Sequence, residues 1–339
     1  MEAAPDLGDG TQAPAVAVSG LVKRYGDVDA VRGIDLCVNA DETFGFLGPN
    51  GAGKSTTINI LCTLIKPTEG SARVAGYDVV RDRDDVRRNI GLVFQDTTLD
   101  SYLTAERNLR LHAELYGIPR STIGPRLREV LDMVGLWDRR ASKVATFSGG
   151  MKRRLEIARG LLHSPRVLFL DEPTIGLDPQ TRASIWGYIR ELRDREHITI
   201  FMTTHYMDEA EYCDRIAIID HGKIITVDTP QALKASIGKD RVQIHTEDDV
   251  VAIAALNDNF GITATMAEGA VTFGVEEGEQ FVPKLFRDFP VAIRSVHVSR
   301  PSLDDVFMSY TGTTIRDAEA SVADQLRAGA ALFRRGGAR

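Results

Sequence analysis

The sequence predicts an α/β core on a largely parallel sheet, interrupted by a helical insertion and followed by a small α+β domain. Three observations predict it. From Ala15 to about Val227, short apolar runs alternate with helical stretches. Between Leu99 and His163 helical stretches follow one another with no strand among them. From about Asp240 the order becomes β-α-β-β-α-β. Runs that are apolar nearly throughout suit strands covered on both faces, the usual setting of parallel sheets.

The strand-like runs are Val16-Ala17-Val18, Thr43 to Leu47, Ile90 to Phe94, Val167 to Leu170, Thr199 to Thr203 and Arg215 to Ile219. Ser55 to Ile65 reads as a helix. Thr104 to Tyr116, Thr122 to Val134 and Gly149 to Leu162 read as helices of an insertion spanning about 96–164. Asp178-Pro179 is an N-cap with proline at the first helical position, opening a helix through Arg193. In the third region Val242 to His245 is a strand and Asp248 to Leu256 a helix. Ile262 to Met266 and Ala270 to Phe273 flank the hairpin signal Ala267-Glu268-Gly269. Gln280 to Phe286 is a helix, Val291 to Val298 a strand and Ser302 to Tyr310 a helix. This order matches the ferredoxin-like split β-α-β unit. The domains are therefore 15–230 and 240–312. Residues 1–14 read as a disordered leader, and 313–339 as a tail, helical in part over Glu319 to Phe333 and basic at its end.

Composition narrows the partners. The 339 residues suffice for two or three domains, and 43% hydrophobic content supports full cores. A net charge of -7 offers no bulk basic surface for nucleic acid. No stretch approaches the 18 or so apolar residues of a membrane span, and the acidic start lacks the features of a signal peptide. Cys37, Cys62 and Cys213 form no C-x-x-C pair and read as buried free thiols.

Residues 48–55, Gly48-Pro49-Asn50-Gly51-Ala52-Gly53-Lys54-Ser55, match the phosphate-binding loop G-x-x-x-x-G-K-[ST]. Its glycines turn backbone N–H groups toward phosphate oxygens, and the following helix adds its positive dipole end. Lys54 reaches the β- and γ-phosphates of a nucleoside triphosphate, and Ser55 ligates Mg²⁺. Arg166 to Leu170 then leads into Asp171-Glu172-Pro173. In a phosphate-loop enzyme, Asp171 holds Mg²⁺ through water and Glu172 polarises the attacking water. Pro173 is expected to keep Glu172 in extended backbone. Ser148-Gly149-Gly150 caps the helix from Gly149 and makes an anion site at its N-terminus.

These motifs, in this order, resemble the ATP-binding cassette (ABC) ATPase family over about residues 15–230. Ser148-Gly149-Gly150 is similar to its signature, and Gln95, after Gly91-Leu92-Val93-Phe94, to its Q-loop glutamine. Gly176-Leu177-Asp178-Pro179 resembles the D-loop, and His205 in Thr203-Thr204-His205 the switch histidine. Tyr25, in Val22-Lys23-Arg24-Tyr25-Gly26, sits where the family stacks an aromatic ring on adenine. The signature departs from Leu-Ser-Gly-Gly-Gln at Phe147 and Met151. That departure, with Pro301-Ser302-Leu303-Asp304-Asp305-Val306-Phe307, resembles the antibiotic-resistance branch typified by daunorubicin/doxorubicin export.

The resemblance implies a P-loop NTPase fold and transport-coupled ATP hydrolysis, with ATP and Mg²⁺ as cofactors. It implies nucleotide contacts from Tyr25, Gly48 to Thr56, Gln95, Ser148, Gly149, Gly150 and Asp178. Ser55, Gln95 and Asp171 would hold the metal; Lys54, Glu172 and His205 would serve catalysis. It implies a head-to-tail pair with a second copy, since one signature covers the other subunit's ATP. It also implies a separate permease, no nucleic acid, and a peripheral place on the cytoplasmic face of the cell membrane. Drug-like, antibiotic and lipid cargoes stay open. So do an importer ATPase with a regulatory C-terminal domain and a soluble cassette ATPase with a non-membrane partner. Against the last, only 94 positions separate Lys54 from Ser148, with no heptad run between them.

Overall fold

A computed structural model describes residues 13–267 and 269–311. The predicted leader before residue 13, Glu268 of the predicted hairpin turn and the predicted tail beyond Thr311 lie outside the described residues. The chain divides into two compact units, one ending at Asp228 and the next beginning at Thr229.

Strands of the first unit are β1 (Val16–Tyr25), β2 (Val28–Val38), β3 (Thr43–Leu47), β4 (Glu69–Val74), β5 (Tyr77–Asp78), β6 (Ile90–Val93), β7 (Val167–Asp171), β8 (Thr199–Thr204), β9 (Arg215–Asp220) and β10 (Lys223–Asp228). Six form the main sheet, in the order β10-β9-β3-β8-β7-β6. Its neighbours run parallel except for the edge strand β10. β3, β7 and β8 are buried along their whole length, as the continuous apolar runs require. Register places Phe44 beside Phe201 and Phe201 beside Phe169. The Phe201 ring lies 5.4–5.7 Å from those of Phe44, Phe46 and Phe169, and all four are fully buried.

The same register sets the site. Leu47 pairs with Thr204, and Asp171 with Thr203, so the carboxyl ends of β3, β8 and β7 stand side by side. β6 follows as the next strand. Ligands of open α/β sheets sit outside these strand ends.

A second sheet of this unit, β2-β1-β4-β5, is antiparallel. Sequence reading anticipated only Val16-Ala17-Val18 of it. In β4 only Ala72 and Val74 are buried, so the strand lacks a continuous apolar run. The pleat of β2 corrects one thiol: Ile34, Leu36 and Val38 point inward, leaving Cys37 exposed. Cys62 and Cys213 are buried.

The insertion holds helices Ala105–Leu115, Arg120–Met133 and Gly149–Gly160. The Thr104 hydroxyl caps the first by accepting from the Arg107 N–H at 3.2 Å. The helix after the phosphate loop is Lys54–Leu61, shorter than expected, because the chain turns left-handed at Thr63, φ 63°.

The second unit opens with helix Pro230–Ser236, which packs on helix Leu303–Thr311, so it starts a helix earlier than Asp240. Its strands are β11 (Asp240–Thr246), β12 (Ala264–Ala267), β13 (Ala270–Val275) and β14 (Ile293–Ser299). Their order, β12-β13-β11-β14 with every pair antiparallel, is that of the split β-α-β unit. Val242, Ile244, Val271 and Phe273 form its core with Leu256 and Leu285 from helices Asp249–Phe260 and Gly278–Asp288.

The aromatic row makes a stability prediction. Phe201→Ala removes a fully buried ring among three others and should cost about 3–5 kcal/mol in chemical denaturation. A loss under about 1 kcal/mol would show that the row does not anchor the sheet.

Candidate functional site

The phosphate loop leaves β3 and enters helix Lys54–Leu61. Its turn needs glycine at Gly53, where φ is 105° and an added Cβ would lie 2.5 Å from the Ala30 carbonyl oxygen. Lys54 is buried. Its Nζ donates to the carbonyls of Gly48 (2.7 Å) and Pro49 (3.1 Å) and stands 3.3 Å from Glu172 Oε1. Ser55 Oγ donates to Asp171 Oδ1 at 3.3 Å. Thr203 Oγ1 donates to the same oxygen at 2.5 Å and accepts the Glu172 N–H at 3.0 Å.

Glu172 departs from the sequence expectation. Its φ is 46°, left-handed rather than extended, although Pro173 disfavours compact angles in the residue before it. The bonds around this turn override the local preference, and Glu172 is only 5% exposed. His205 Nδ1 approaches Glu172 Oε1 to 3.3 Å, the same distance as Lys54. Among the described residues, His205 Nδ1 and Glu172 Oε2 have no hydrogen-bond partner. Burial pushes the Glu172 carboxyl up, but His205 and Lys54 outweigh it and hold the group below its ordinary 4.5. Glu172 therefore stands as a carboxylate, flanked by a cation and an imidazole.

A second group gathers at two helix N-termini. Ser148 caps Gly149–Gly160, its Oγ accepting from the Met151 N–H at 3.3 Å. Ser148 and Gly149 are exposed. Gly150 is packed so closely that an added Cβ would lie 2.4 Å from Thr181 Cγ2. Asp178 caps Pro179–Glu196, accepting from the Thr181 N–H (3.0 Å) and hydroxyl (2.6 Å). Thr181 thus links Gly150 to Asp178.

Lys54, Ser55, Asp171, Glu172 and His205 converge as one cluster; Ser148, Gly149, Gly150 and Asp178 form the other group. Gln95 is exposed just past β6. Tyr25 is half exposed at the end of β1, with Lys23 Nζ 4.9 Å from its ring centroid. No hydrogen bond joins the Gln95 or Tyr25 side chain to the cluster among the described residues. Sequence reading missed two residues. Thr203 orders both acidic neighbours, and Arg153, seen only as part of a basic run, points inward. The helical spacing of Arg153 and Glu156 was the available signal for a buried pair.

The oxygen donors of Ser55 and Asp171 suit Mg²⁺, which takes few protein ligands and completes its shell with phosphate and water.

Residues 31–175 match the ABC transporter family model, and residues 229–311 the C-terminal domain of DrrA1-3-like ATP-binding proteins. The daunorubicin/doxorubicin resistance ATP-binding protein DrrA of Streptomyces peucetius is 40% identical over 88% of this chain and 92% of its own length. The linearmycin resistance ATP-binding protein LnrL of Bacillus subtilis is 37% identical over 87% of this chain and 97% of its own. Among solved structures, cbiO1 of Clostridium perfringens, part of the ABC transporter complex cbiONQ, superposes with a TM-score of 0.62 at 28% identity. That match covers 74% of this chain and 97% of cbiO1. A dimeric ATP-binding cassette in a post-hydrolysis state bound to ADP and Pi gives 0.57 at 29% identity, over 63% and 98%. With its phosphate-loop lysine, paired carboxylates and capped serine-glycine helix start in one fold, the chain belongs to the ATP-binding subunits of ABC transporters, in the group that shares the DrrA-type C-terminal domain.

Proposed function

We propose that this ATPase drives export of a drug-like, antibiotic or lipid molecule through a separate permease. The observation that carries the mechanism is the Glu172 carboxylate, held ionised between Lys54 and His205 at the carboxyl edge of the sheet. The loop amides and Lys54 bind the phosphates of ATP. Ser55, Asp171 and Gln95 would hold Mg²⁺, which would supply positive charge against the phosphates. Phosphate drawing Lys54 toward itself leaves Glu172 Oε1 free to accept a proton from the attacking water. His205 senses the γ-phosphate, and Tyr25 stacks on the base.

Ser148 and Gly149 stand exposed at the start of their helix, which offers a second anion site. This exposure supports a head-to-tail pair in which each chain's signature closes on ATP held by its partner, with Asp178 at the junction. The dimeric cassette among the structural relatives favours such pairing. ATP then biases an open-closed equilibrium, and hydrolysis reverses it.

Relatives named for daunorubicin/doxorubicin resistance, for linearmycin resistance and for Nod factor export support the outward direction. No helix among the described residues is long and apolar enough to cross a membrane; the proposal gives the path to the separate permease. The docking surface is the stretch from Gln95 to Glu106, exposed over Gln95 to Thr98 and at Asp100 and Tyr102. Tyr102 there is 86% exposed, and a cleft of about 290 Å³ nearby is lined by Leu64, Leu92, Phe94, His112 and Tyr116. On this proposal the chain sits peripherally on the cytoplasmic face of the membrane.

Glu172→Gln should bind ATP and form an ATP-dependent dimer while turnover falls about a hundredfold or more. Wild-type turnover in that variant would remove Glu172 from its role. The pH dependence of stability is also testable. The depressed carboxyl stabilises the fold above its ordinary 4.5 and loses that contribution as pH falls through its lower folded value. The stability gap between wild type and Glu172→Gln should therefore narrow as pH drops below 4.5; a gap that widens contradicts the charge pairing. Tyr102→Asp should leave ATP hydrolysis by the purified chain intact yet release it from permease-containing membranes. Equal retention on membranes lacking the permease would defeat the docking surface.

A further inference from the structure

Glu172 holds a left-handed backbone directly before a proline, a combination that persists only where surrounding groups enforce it. Arg153 grips the peptide groups on both sides. Its Nε donates to the Pro173 carbonyl at 2.5 Å, and its Nη2 to the Asp171 carbonyl at 3.1 Å. Its Nη1 donates to the carbonyl of Phe94, the residue before Gln95, and to Glu156 Oε2 at 3.2 Å. Arg153 is 7% exposed and Glu156 fully buried. Glu156 Oε1 in turn accepts the Thr98 N–H at 2.7 Å, tying in the stretch beyond Gln95. A planar guanidinium with five N–H donors meets these four acceptors at once, whereas a lysine ammonium cannot reproduce the fork.

Arg153 lies early in helix Gly149–Gly160, the helix that Ser148 caps. We propose that Arg153 is a positioning residue for hydrolysis: it sets the backbone of Glu172 from the helix that begins at Ser148-Gly149-Gly150. A shift of that helix on contact with the partner's nucleotide then moves the chain's own general base and its Phe94-Gln95 junction together. The two ATP sites of the pair become mechanically linked through one side chain in each subunit. This rests on the assignment of Glu172 as base and of Ser148 to Gly150 as the part that meets the partner's ATP.

The test uses the purified full chain carrying Arg153→Lys, which keeps the charge and loses the fork. KM for ATP should stay within about twofold while kcat falls on the order of tenfold to a hundredfold, the scale of a small misplacement of a catalytic group. A folded Arg153→Lys chain with kcat within about twofold of wild type overturns the proposal, and so does a lowered melting temperature with unchanged kcat. Should the lysine not fold, Arg153→Gln combined with Glu156→Gln removes both charges of the buried pair and should give the same split. Wild-type kcat in that double variant overturns the proposal equally. Glu172→Gln serves as the control. Turnover surviving in Glu172→Gln would defeat the base assignment itself, whereas turnover lost there but kept in the Arg153 variants would defeat the positioning role alone.

Discussion

The site depends on keeping one carboxylate charged inside the protein. Glu172 is nearly enclosed, and taking an ion out of water costs several kcal/mol unless opposite charge and hydrogen bonds offset it. Lys54 and His205, each 3.3 Å from the same oxygen, supply that offset. These three groups come from three separate stretches of chain: the loop after β3, the turn after β7 and the end of β8. They meet only because the sheet order β3-β8-β7 sets those strand ends side by side. A one-residue slip in register would turn the strand-end side chains to the opposite face. The aromatic row across the same three strands fixes that register, so core packing and site chemistry are one constraint.

Much of this was legible in the sequence because its signals are contiguous. The phosphate loop, Asp171-Glu172 and Ser148-Gly149-Gly150 are short strings whose chemistry follows from residue type and spacing. The buried parallel strands announce themselves as apolar runs, and Thr104 and Asp178 cap the helices they were expected to begin. The order of elements in the C-terminal unit was also readable, since each strand and helix there carries a plain pattern and the sheet order follows from it.

What stayed hidden is non-local. The antiparallel sheet of β1, β2, β4 and β5 buries one face, so its strands mix apolar with charged residues; Cys37 faced outward for the same reason. The left-handed turn at Glu172 contradicts the preference that Pro173 imposes, and only tertiary bonds from Thr203 and Arg153 explain it. Arg153 looked like one charge of a solvated run. Its burial became visible only when the helix was set against the ends of β6 and β7. The residues hardest to read are those whose partners lie tens of positions away, and they are the ones that connect the helix starting at Gly149 to the turn at Glu172.

On the proposed function each chain carries two halves of different sites: a hydrolytic centre built on Lys54 and Glu172, and a closing surface built on Ser148 to Gly150. Mixing two inactive chains tests it most directly. Lys54→Ala keeps a working signature, and Ser148→Arg keeps a working hydrolytic centre. Neither should hydrolyse ATP alone, yet a mixed pair assembles one complete site, and ATPase activity should reappear on mixing. A mixture no more active than its components, with both chains folded and Ser148→Arg still binding ATP, would contradict the shared site.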